Sequence, residues 1–304
     1  MLSAQRIKQL ALQVGFDACG ITPATPLIEQ EGHFRAWLQA GYHSSLGYME
    51  RNGEKRFRPA RLVEGAKSVV VCAVSYRNAI GEGYPSDCRT KIASYATTTD
   101  YHTTLRALLH ELIALLRAEE PTLQGRAFVD SAPLAEKPLA VAAGLGWIGR
   151  QSLLIHPKLG SFLHLGELVI TAPVDTYDQP MEGVGCGNCH ACREACPAGA
   201  LVRDAVVDTA RCIACQTIEA PSAQATPLHG WIFGCDACQS CCPYNRRAPL
   251  HRNPRCDPRF DPRTLTAEAW LTMSEEEFSS TFAPTPLARS GLSRIREHVR
   301  KNQQ

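Results

Sequence analysis

The apolar pattern changes period repeatedly over the first 176 residues, and each change predicts an element. Residues 3–14 place Ile7, Leu10, Ala11 and Val14 on one helical face, and Gly15 ends that helix. FDACGIT at 16–22 reads as a strand, and residues 30–39 read as a second helix around Phe34, Trp37 and Leu38. GYHSSLGYMER (41–51) brackets a short helical turn between Gly41 and Gly47, and the basic loop NGEKRFRPARL follows. KSVVVCAVSY (67–76) is an almost unbroken apolar, β-branched run, as in a strand covered on both faces. After a polar loop at 77–91, residues 94–119 begin in loop chemistry and continue as a long helix, with Asp100 or a neighbouring threonine available as its cap. GRAFVD predicts a strand over 125–130 ending on Asp130, PLAEKPLAVAAG a helix, and GELVITA a strand over 166–172. Strands alternating with helices predict an α/β architecture for this part of the chain.

Beyond Thr176 the periodicity breaks down. Cysteine, glycine and proline dominate to residue 256, with one helix predicted at 200–208. A short helix at 266–276 and the basic end GLSRIREHVRKNQQ follow. The pattern divides the chain into 1–176, 177–256 and a helical tail, 257–304, packed on the core. At 304 residues, with 44% hydrophobic and 20% charged, the chain is long enough to bury a real core, and its net charge of +2 selects no class of partner. The cysteines do change the picture: of fourteen, three lie in the first 185 residues and eleven between 186 and 256. The chain opens on an amphipathic helix instead of a signal sequence, and no apolar run reaches the length of a membrane span. A cytoplasmic address with reduced thiols is expected, which favours metal ligation over disulfides.

The run CGNCHACREACP carries Cys186, Cys189, Cys192 and Cys196, followed by Pro197. This is the C-x2-C-x2-C-x3-C-P spacing of 4Fe–4S proteins, in which the fourth cysteine ligates a different cluster from the first three. The exported Cys196 therefore demands a second set. Counting back from Cys242-Pro243 gives Cys238 and Cys235, but the next position in a compact ferredoxin would be Ile232, which cannot bind iron. The missing ligand must come from RCIACQTIE, as Cys212 or Cys215. One cluster then takes Cys186, Cys189, Cys192 and Cys242, and the other takes Cys196, Cys235, Cys238 and one of that pair. Zinc also uses C-x2-C pairs but has no need of the x3-C-P half. Cys241 reads as a free thiol.

Clusters move electrons without choosing a substrate, so the first segment must receive them. Gly144, Gly146 and Gly149 spell G-x-G-x-x-G, yet a helix, not a strand, precedes them, which excludes the dinucleotide reading. The tight loop through Gly146, Trp147 and Arg150 reads as a close backbone approach to something bulky, or as a compact turn. No P-loop occurs. Asp130 ends a strand where ligand and catalytic groups collect, and enclosure there predicts a raised pKa and a proton donor. Arg58, Tyr76, Tyr95, His102 and Arg150 are further pocket candidates by loop position. Asp100-Tyr101-His102 begins the Asp-x-His-x-x-Gly signature of a histidine on cobalt, but residue 105 is leucine.

VDSAPLAEKPLAVAAGLGWIGRQSLLI, GSFLHLGELVIT, CGNCHACREACPAGA, RCIACQTIE and GCDACQSCCPYN occur in register, and with GYHSSLGYMER, RPARLVEGAKSVVV and YATTTDYH the chain resembles the epoxyqueuosine reductases over essentially its whole length. The resemblance implies an α+β or α/β fold: a cobalamin-binding, nitroreductase-like N-terminal domain, then a ferredoxin-like domain with two 4Fe–4S clusters. It implies removal of the epoxide oxygen of epoxyqueuosine at the tRNA wobble position, with an external low-potential electron donor and a monomeric enzyme. It further implies Cys212 as the remaining second-cluster ligand, Asp130 as catalytic acid, and cobalamin without a protein histidine on cobalt. The C-terminal helical-repeat extension of longer members is absent here, so the basic tail (Arg294, Arg296, Arg300 and Lys301) is expected to help grip tRNA. The competing readings are a cobalamin and iron–sulfur reductase of another small molecule, and a non-catalytic electron carrier.

Overall fold

Helix α1 (Ala4–Val14) buries Ile7, Leu10 and Ala11, the stripe its period predicts, and Gly15 turns the chain away at φ 111°. In this computed structural model, which describes residues 1–220 and 226–304, β1 (Ala18–Pro23) follows, then α2 (Ile28–Gln39) and the single turn α3 (Gly53–Arg56). All eight residues of β2 (Ser68–Ser75) are buried. The short β3 (Lys91–Ile92) precedes α4 (Tyr101–Glu119), which Asp100 caps by accepting the His102 amide at 2.9 Å. Next come β4 (Gly125–Phe128), α5 (Glu136–Ala142), the two-residue strands β5 (Trp147–Ile148) and β6 (Leu154–Ile155), and β7 (Leu163–Ile170).

The central sheet has the order β1-β2-β7-β4, and every neighbouring pair is antiparallel. The alternation of helices and strands thus does not build the parallel sheet of an α/β fold; the architecture is α+β. Strand alternation sends Val70, Cys72, Val74, Leu168 and Ile170 toward α1 and the Leu105, Leu108, Leu109 and Leu112 stripe of α4. Val69, Val71, Ala73 and Val169 face the other way, onto Leu139, Ala140 and Ala143 of α5. Each buried leucine side chain is worth about 1.5–3 kcal/mol, so these two layers hold the scaffold on which the loops sit.

The cysteine-rich segment is built from short pieces: α6 (Ala191–Glu194), β8 (Leu201–Arg203), β9 (Val206–Val207), α7 (Ile213–Ile218), β10 (Trp231–Phe233), α8 (Ala237–Ser240) and α9 (Pro243–Arg247). The helix expected at 200–208 is instead the β8–β9 hairpin, in which Leu201 pairs with Val207. Ala205 takes a left-handed φ of 58° at its turn, and β-branched Val206 and Val207 favour the ladder. The segment is stitched to the first part of the chain where β10 pairs in parallel with β3, and where Trp37 donates to the Val207 carbonyl at 2.8 Å. The helix expected at 266–276 divides into α10 (Ala267–Thr272) and α11 (Glu275–Phe282), because Ser274 and Glu277 form a capping box that starts a new helix. Helix α12 (Leu292–Gln303) completes a core of Trp270, Phe278, Phe282, Leu287 and Ile295 around Ile92, Ile232 and Phe233. Among the described residues no helix is long and apolar enough to cross a membrane.

Candidate active site

Strand β4 stops at Phe128, two residues earlier than its apolar pattern predicts. The chain then leaves the ladder in a tight turn: the Ser131 amide donates back to the Val129 carbonyl at 2.5 Å, and Asp130 between them adopts φ 49°. An i to i+2 turn around a non-glycine residue with positive φ is strained, and such strain collects at functional sites. The turn presents the Asp130 carboxylate to the N-terminus of α4. There Tyr101 donates its hydroxyl to Asp130 Oδ2 at 2.5 Å, and His102 Nε2 lies 3.3 Å from the same oxygen. The other His102 nitrogen, Nδ1, is 2.8 Å from Asp100.

The electrostatics invert one expectation. Asp130 is not a protonated acid: the hydrogen bond from His102 holds its carboxyl below the usual range, with Tyr101 adding to the effect. The proton resides on His102, whose imidazole is pushed up to about 9, first by Asp100 and then by Asp130. Burial, assisted by the Asp130 charge, raises Glu136 to about 7, and the Glu136 carboxylate accepts the Asp130 amide at 2.5 Å.

These groups open into a cleft of about 260 Å³, lined by Tyr76, Tyr95, Tyr101, His102, Asp130 and His164, with Ile218, Glu219, Phe233 and Arg289 opposite. His164 is buried and held neutral, its pKa lowered to about 3 by that burial. Its ring lies between Tyr76, at a centroid distance of 4.2 Å, and Tyr101, at 4.5 Å, and its Nε2 has no partner among the described residues. Tyr48, 44% exposed, stands close enough for Glu219 and Asp130 to help burial raise its hydroxyl to about 12. A wider hollow of about 580 Å³ beside His190, Arg193 and Arg211 contains none of the acid–base groups.

Tyr76, Tyr95, His102 and Asp130 therefore converge, whereas Arg58, Gly146, Trp147 and Arg150 do not line this cleft. Arg58 is 2.7 Å from the buried Glu31 carboxylate. Gly146 is glycine because a Cβ there would lie 2.0 Å from the Ile155 carbonyl, so its close approach is to the chain itself. Trp147 pairs with Ile155 and meets Tyr244 edge-on at 4.9 Å. Arg150 pairs with Asp204, donates to the Gly187 carbonyl at 2.8 Å and faces Cys186 and Cys192. In the C-terminal tail, Arg294 donates to the carbonyls of Gln216 and Ala220, and Arg296 to those of Trp270 and Met273. Helix-end carbonyls are natural partners for guanidinium groups. These two arginines fasten α12 to α7 and α10 instead of reaching outward, while Arg300 is exposed.

Sequence reasoning missed Tyr101, His164, Glu136 and Arg289. One of them had a signal: His164, like Glu167 beyond it, is a polar residue inside β7, and a buried polar group demands a reason.

The thiols gather in two sets. Cys192 is raised by burial and by Cys186 and Cys242, and Cys242 in turn feels Cys186 and Cys189. Cys238 feels Cys235, Cys212 and Cys196, and Cys235 feels Cys212 and Cys196. Cys215 is close to Cys212, and Cys241 to Cys192 and Cys242, so each sits at the edge of a set. Among the described residues no three His, Cys, Asp or Glu side chains converge on a single-ion site. The donor chemistry of eight thiols in two quartets suits a pair of iron–sulfur clusters. The second quartet lies behind the cleft wall: the Tyr76 hydroxyl accepts from Gln239 at 3.5 Å and is raised chiefly by burial, then by Asp236, with a smaller push from Cys238.

Thiol quartets beside an acid–base cleft define the chain as an iron–sulfur oxidoreductase. The family model "Epoxyqueuosine reductase QueG, DUF1730" matches residues 56–131, and "4Fe-4S double cluster binding domain" matches 185–245. An epoxyqueuosine reductase of Cyclobacterium marinum is 40% identical, over 94% of this chain and 92% of its own length. The chain belongs to the epoxyqueuosine reductase family. Its structure superposes, at TM-score 0.86 and 26% identity, on a crystal structure of epoxyqueuosine reductase with an epoxyqueuosine-modified tRNA-Tyr stem loop, covering 98% of this chain and 80% of that one. The Bacillus subtilis enzyme, with its catalytic aspartate loop swung out of the active site, matches at the same TM-score, identity and coverage. A catabolic reductive dehalogenase shares the fold alone, at TM-score 0.50 and 17% identity, over 96% of this chain and 37% of its own.

Proposed function

We propose that this chain reduces epoxyqueuosine to queuosine at the wobble position of tRNA, drawing electrons from an external low-potential donor through two 4Fe–4S clusters to cobalamin. The observation that carries this reading is the Asp130–His102–Tyr101 constellation, opening into an aromatic-walled cleft directly in front of the second thiol quartet. Cys186, Cys189, Cys192 and Cys242 hold the outer cluster, and Cys196, Cys212, Cys235 and Cys238 hold the one nearer the cleft. The cleft is walled by aromatic rings and carries the buried Nε2 of His164, without a partner among the described residues, which supports a ligand with a polar edge there. Histidine stays off cobalt in this reading, since both His102 nitrogens face carboxylates and His164 is pinned between two tyrosines. When bound, cobalamin supplies the low-valent cobalt that passes electrons to the substrate. The nitroreductase-like description of residues 1–176, with the cluster segment at 177–256 and the tail at 257–304, belongs to the same proposal.

Removing the epoxide oxygen as water requires two electrons and two protons. At neutral pH the first proton is held on His102, beside an ionised Asp130. As the C–O bond opens, Asp130 Oδ2 takes that proton from His102 Nε2 and passes it to the oxygen. Tyr101 keeps the carboxylate aimed, and Asp100 keeps the imidazole supplied from the far side. The second proton comes from solvent through the same pair. The flipped-out base enters past Tyr48 and Arg289, while phosphate contacts hold the stem. The Asp130 loop has two positions, in over the cleft as here and out as in the Bacillus subtilis relative. Anaerobic turnover of epoxyqueuosine-containing tRNA with a chemical reductant, read by mass as the loss of one oxygen, tests the function. Turnover by Asp130→Asn at the wild-type rate, with cofactors bound, would remove Asp130 from the mechanism.

A further inference from the structure

Three groups hold Asp130, and only one of them holds its backbone. Tyr101 and His102 grip the carboxylate, which a substrate must engage, so those bonds compete with catalysis. The third bond runs from the Asp130 amide to Glu136 Oε1 at 2.5 Å, and it leaves the carboxylate free. Asp130 and Ser131 are exposed and φ at Asp130 is 49°, so the tip of the turn is strained and faces solvent, while Val129 before it is buried in the core. Glu136, by contrast, is rooted as the first residue of α5, the helix packed on the sheet through Leu139 and Ala140. Behind it lies Glu167, fully buried with neither oxygen partnered, while Lys137 turns away to the Ser152 carbonyl at 2.6 Å. Lys137, its immediate neighbour, thus does not compete with the Asp130 amide for the Glu136 carboxylate.

We infer that Glu136 is the latch of the Asp130 loop: its carboxylate, anchored on the sheet, holds the backbone of the strained turn over the cleft, and its release, together with that of the side-chain bonds from Tyr101, His102 and Arg106, lets the loop swing out for tRNA exchange. The inference rests on the proposed mobility of the Asp130 loop, and Glu136 acts as a positioning residue that touches no substrate. A hydrogen bond whose strength does not depend on full ionisation of the carboxyl changes a local equilibrium by about two- to tenfold, which makes it strong enough to hold the loop and weak enough to release it.

The test is amide hydrogen exchange of residues 129–134 in the full chain with its clusters, with amides of β7 as the internal reference. Glu136→Gln keeps an oxygen at the same reach and should exchange like wild type. Glu136→Asp is one methylene too short, and should exchange about two- to tenfold faster in 129–134 with β7 unchanged. Glu136→Ala should match Glu136→Asp. Wild-type protection in Glu136→Asp would overturn the latch. So would equal loss in Glu136→Gln, because the residue would then act only as a helix-end charge. Kinetics separate this from the catalytic reading: loosening should lower kcat more than it raises KM for tRNA. Faster exchange in Glu136→Asp with unchanged turnover would leave the latch standing and remove Asp130 from the chemistry.

Discussion

Asp100→Asn tests where the proton is kept. His102 is pushed from an ordinary 6.5 to about 9, a change of about 2.5 units, or about 3 kcal/mol favouring the protonated ring. Two carboxylates share that effect. Asp100 is closer, at 2.8 Å against 3.3 Å, and it is 34% exposed where Asp130 is 53% exposed, so water screens it less. Asp100 thus supplies the larger part, about 2 kcal/mol, and Asp100→Asn should return His102 to about 7.5. Asparagine remains a good N-cap, so the bond to the His102 amide and the start of α4 survive. The sign follows from the raised pKa: the ring is protonated in both proteins below about 6.5, and protonation is lost as pH climbs through about 9 in wild type but through about 7.5 in the variant. The ratio of wild-type to variant kcat/KM, measured anaerobically on a modified stem loop with one reductant, should be near unity at pH 6 and about eightfold at pH 8.5. Taking the ratio at each pH cancels the reductant's own pH dependence. A ratio that stays flat from pH 6 to 9 would refute the assignment of the proton to His102.

Other substitutions separate the neighbouring roles. Cys212→Ser should lose one of the two clusters, seen as a halved iron and sulfide content, whereas Cys215→Ser should keep both, since only Cys212 shares the second quartet. Tyr48→Ala removes a 44% exposed ring near Glu219 and Asp130, and loss of one base-stacking surface should raise KM for tRNA about tenfold with a smaller change in kcat. Arg294→Ala should lower thermal stability without changing the salt dependence of tRNA binding, because its guanidinium caps α7. Arg289→Ala should do the reverse, reducing the slope of log affinity against log salt, as loss of a phosphate contact does.

How far the sequence could be read depended on the range of the interactions involved. The spacing of the cysteines is strictly local, so seven of the eight proposed ligands could be named from it and the family resemblance chose Cys212 over Cys215; the structure gathers these eight thiols into two sets. Helix α4 and strand β2 were legible for the same kind of reason: seven residues of one and all eight of the other are buried, and burial at that density writes its period into the chain. The antiparallel order of the sheet was not, because strand direction is set by how the connections cross the sheet, not by any residue in a strand. The β8–β9 hairpin was mistaken for a helix because five residues are too few to show a period, and its deciding feature is one alanine at φ 58°. Two arginines of the tail, Arg294 and Arg296, were misjudged in a more instructive way. Positive charge at a chain end suggests solvent and nucleic acid, yet short helices such as α7 and α10 leave carbonyls exposed at their ends, and Arg294 and Arg296 go to those. Asp130 shows the same lesson in its chemistry. Its place just beyond a strand was readable from the sequence, but the enclosure expected there, and the raised pKa that enclosure predicts, were not met by a side chain that is half exposed. The outcome was decided by His102 and Tyr101, 28 and 29 residues earlier in the chain and folded back to within hydrogen-bonding reach, which turn the expected acid into the base half of a proton-holding pair.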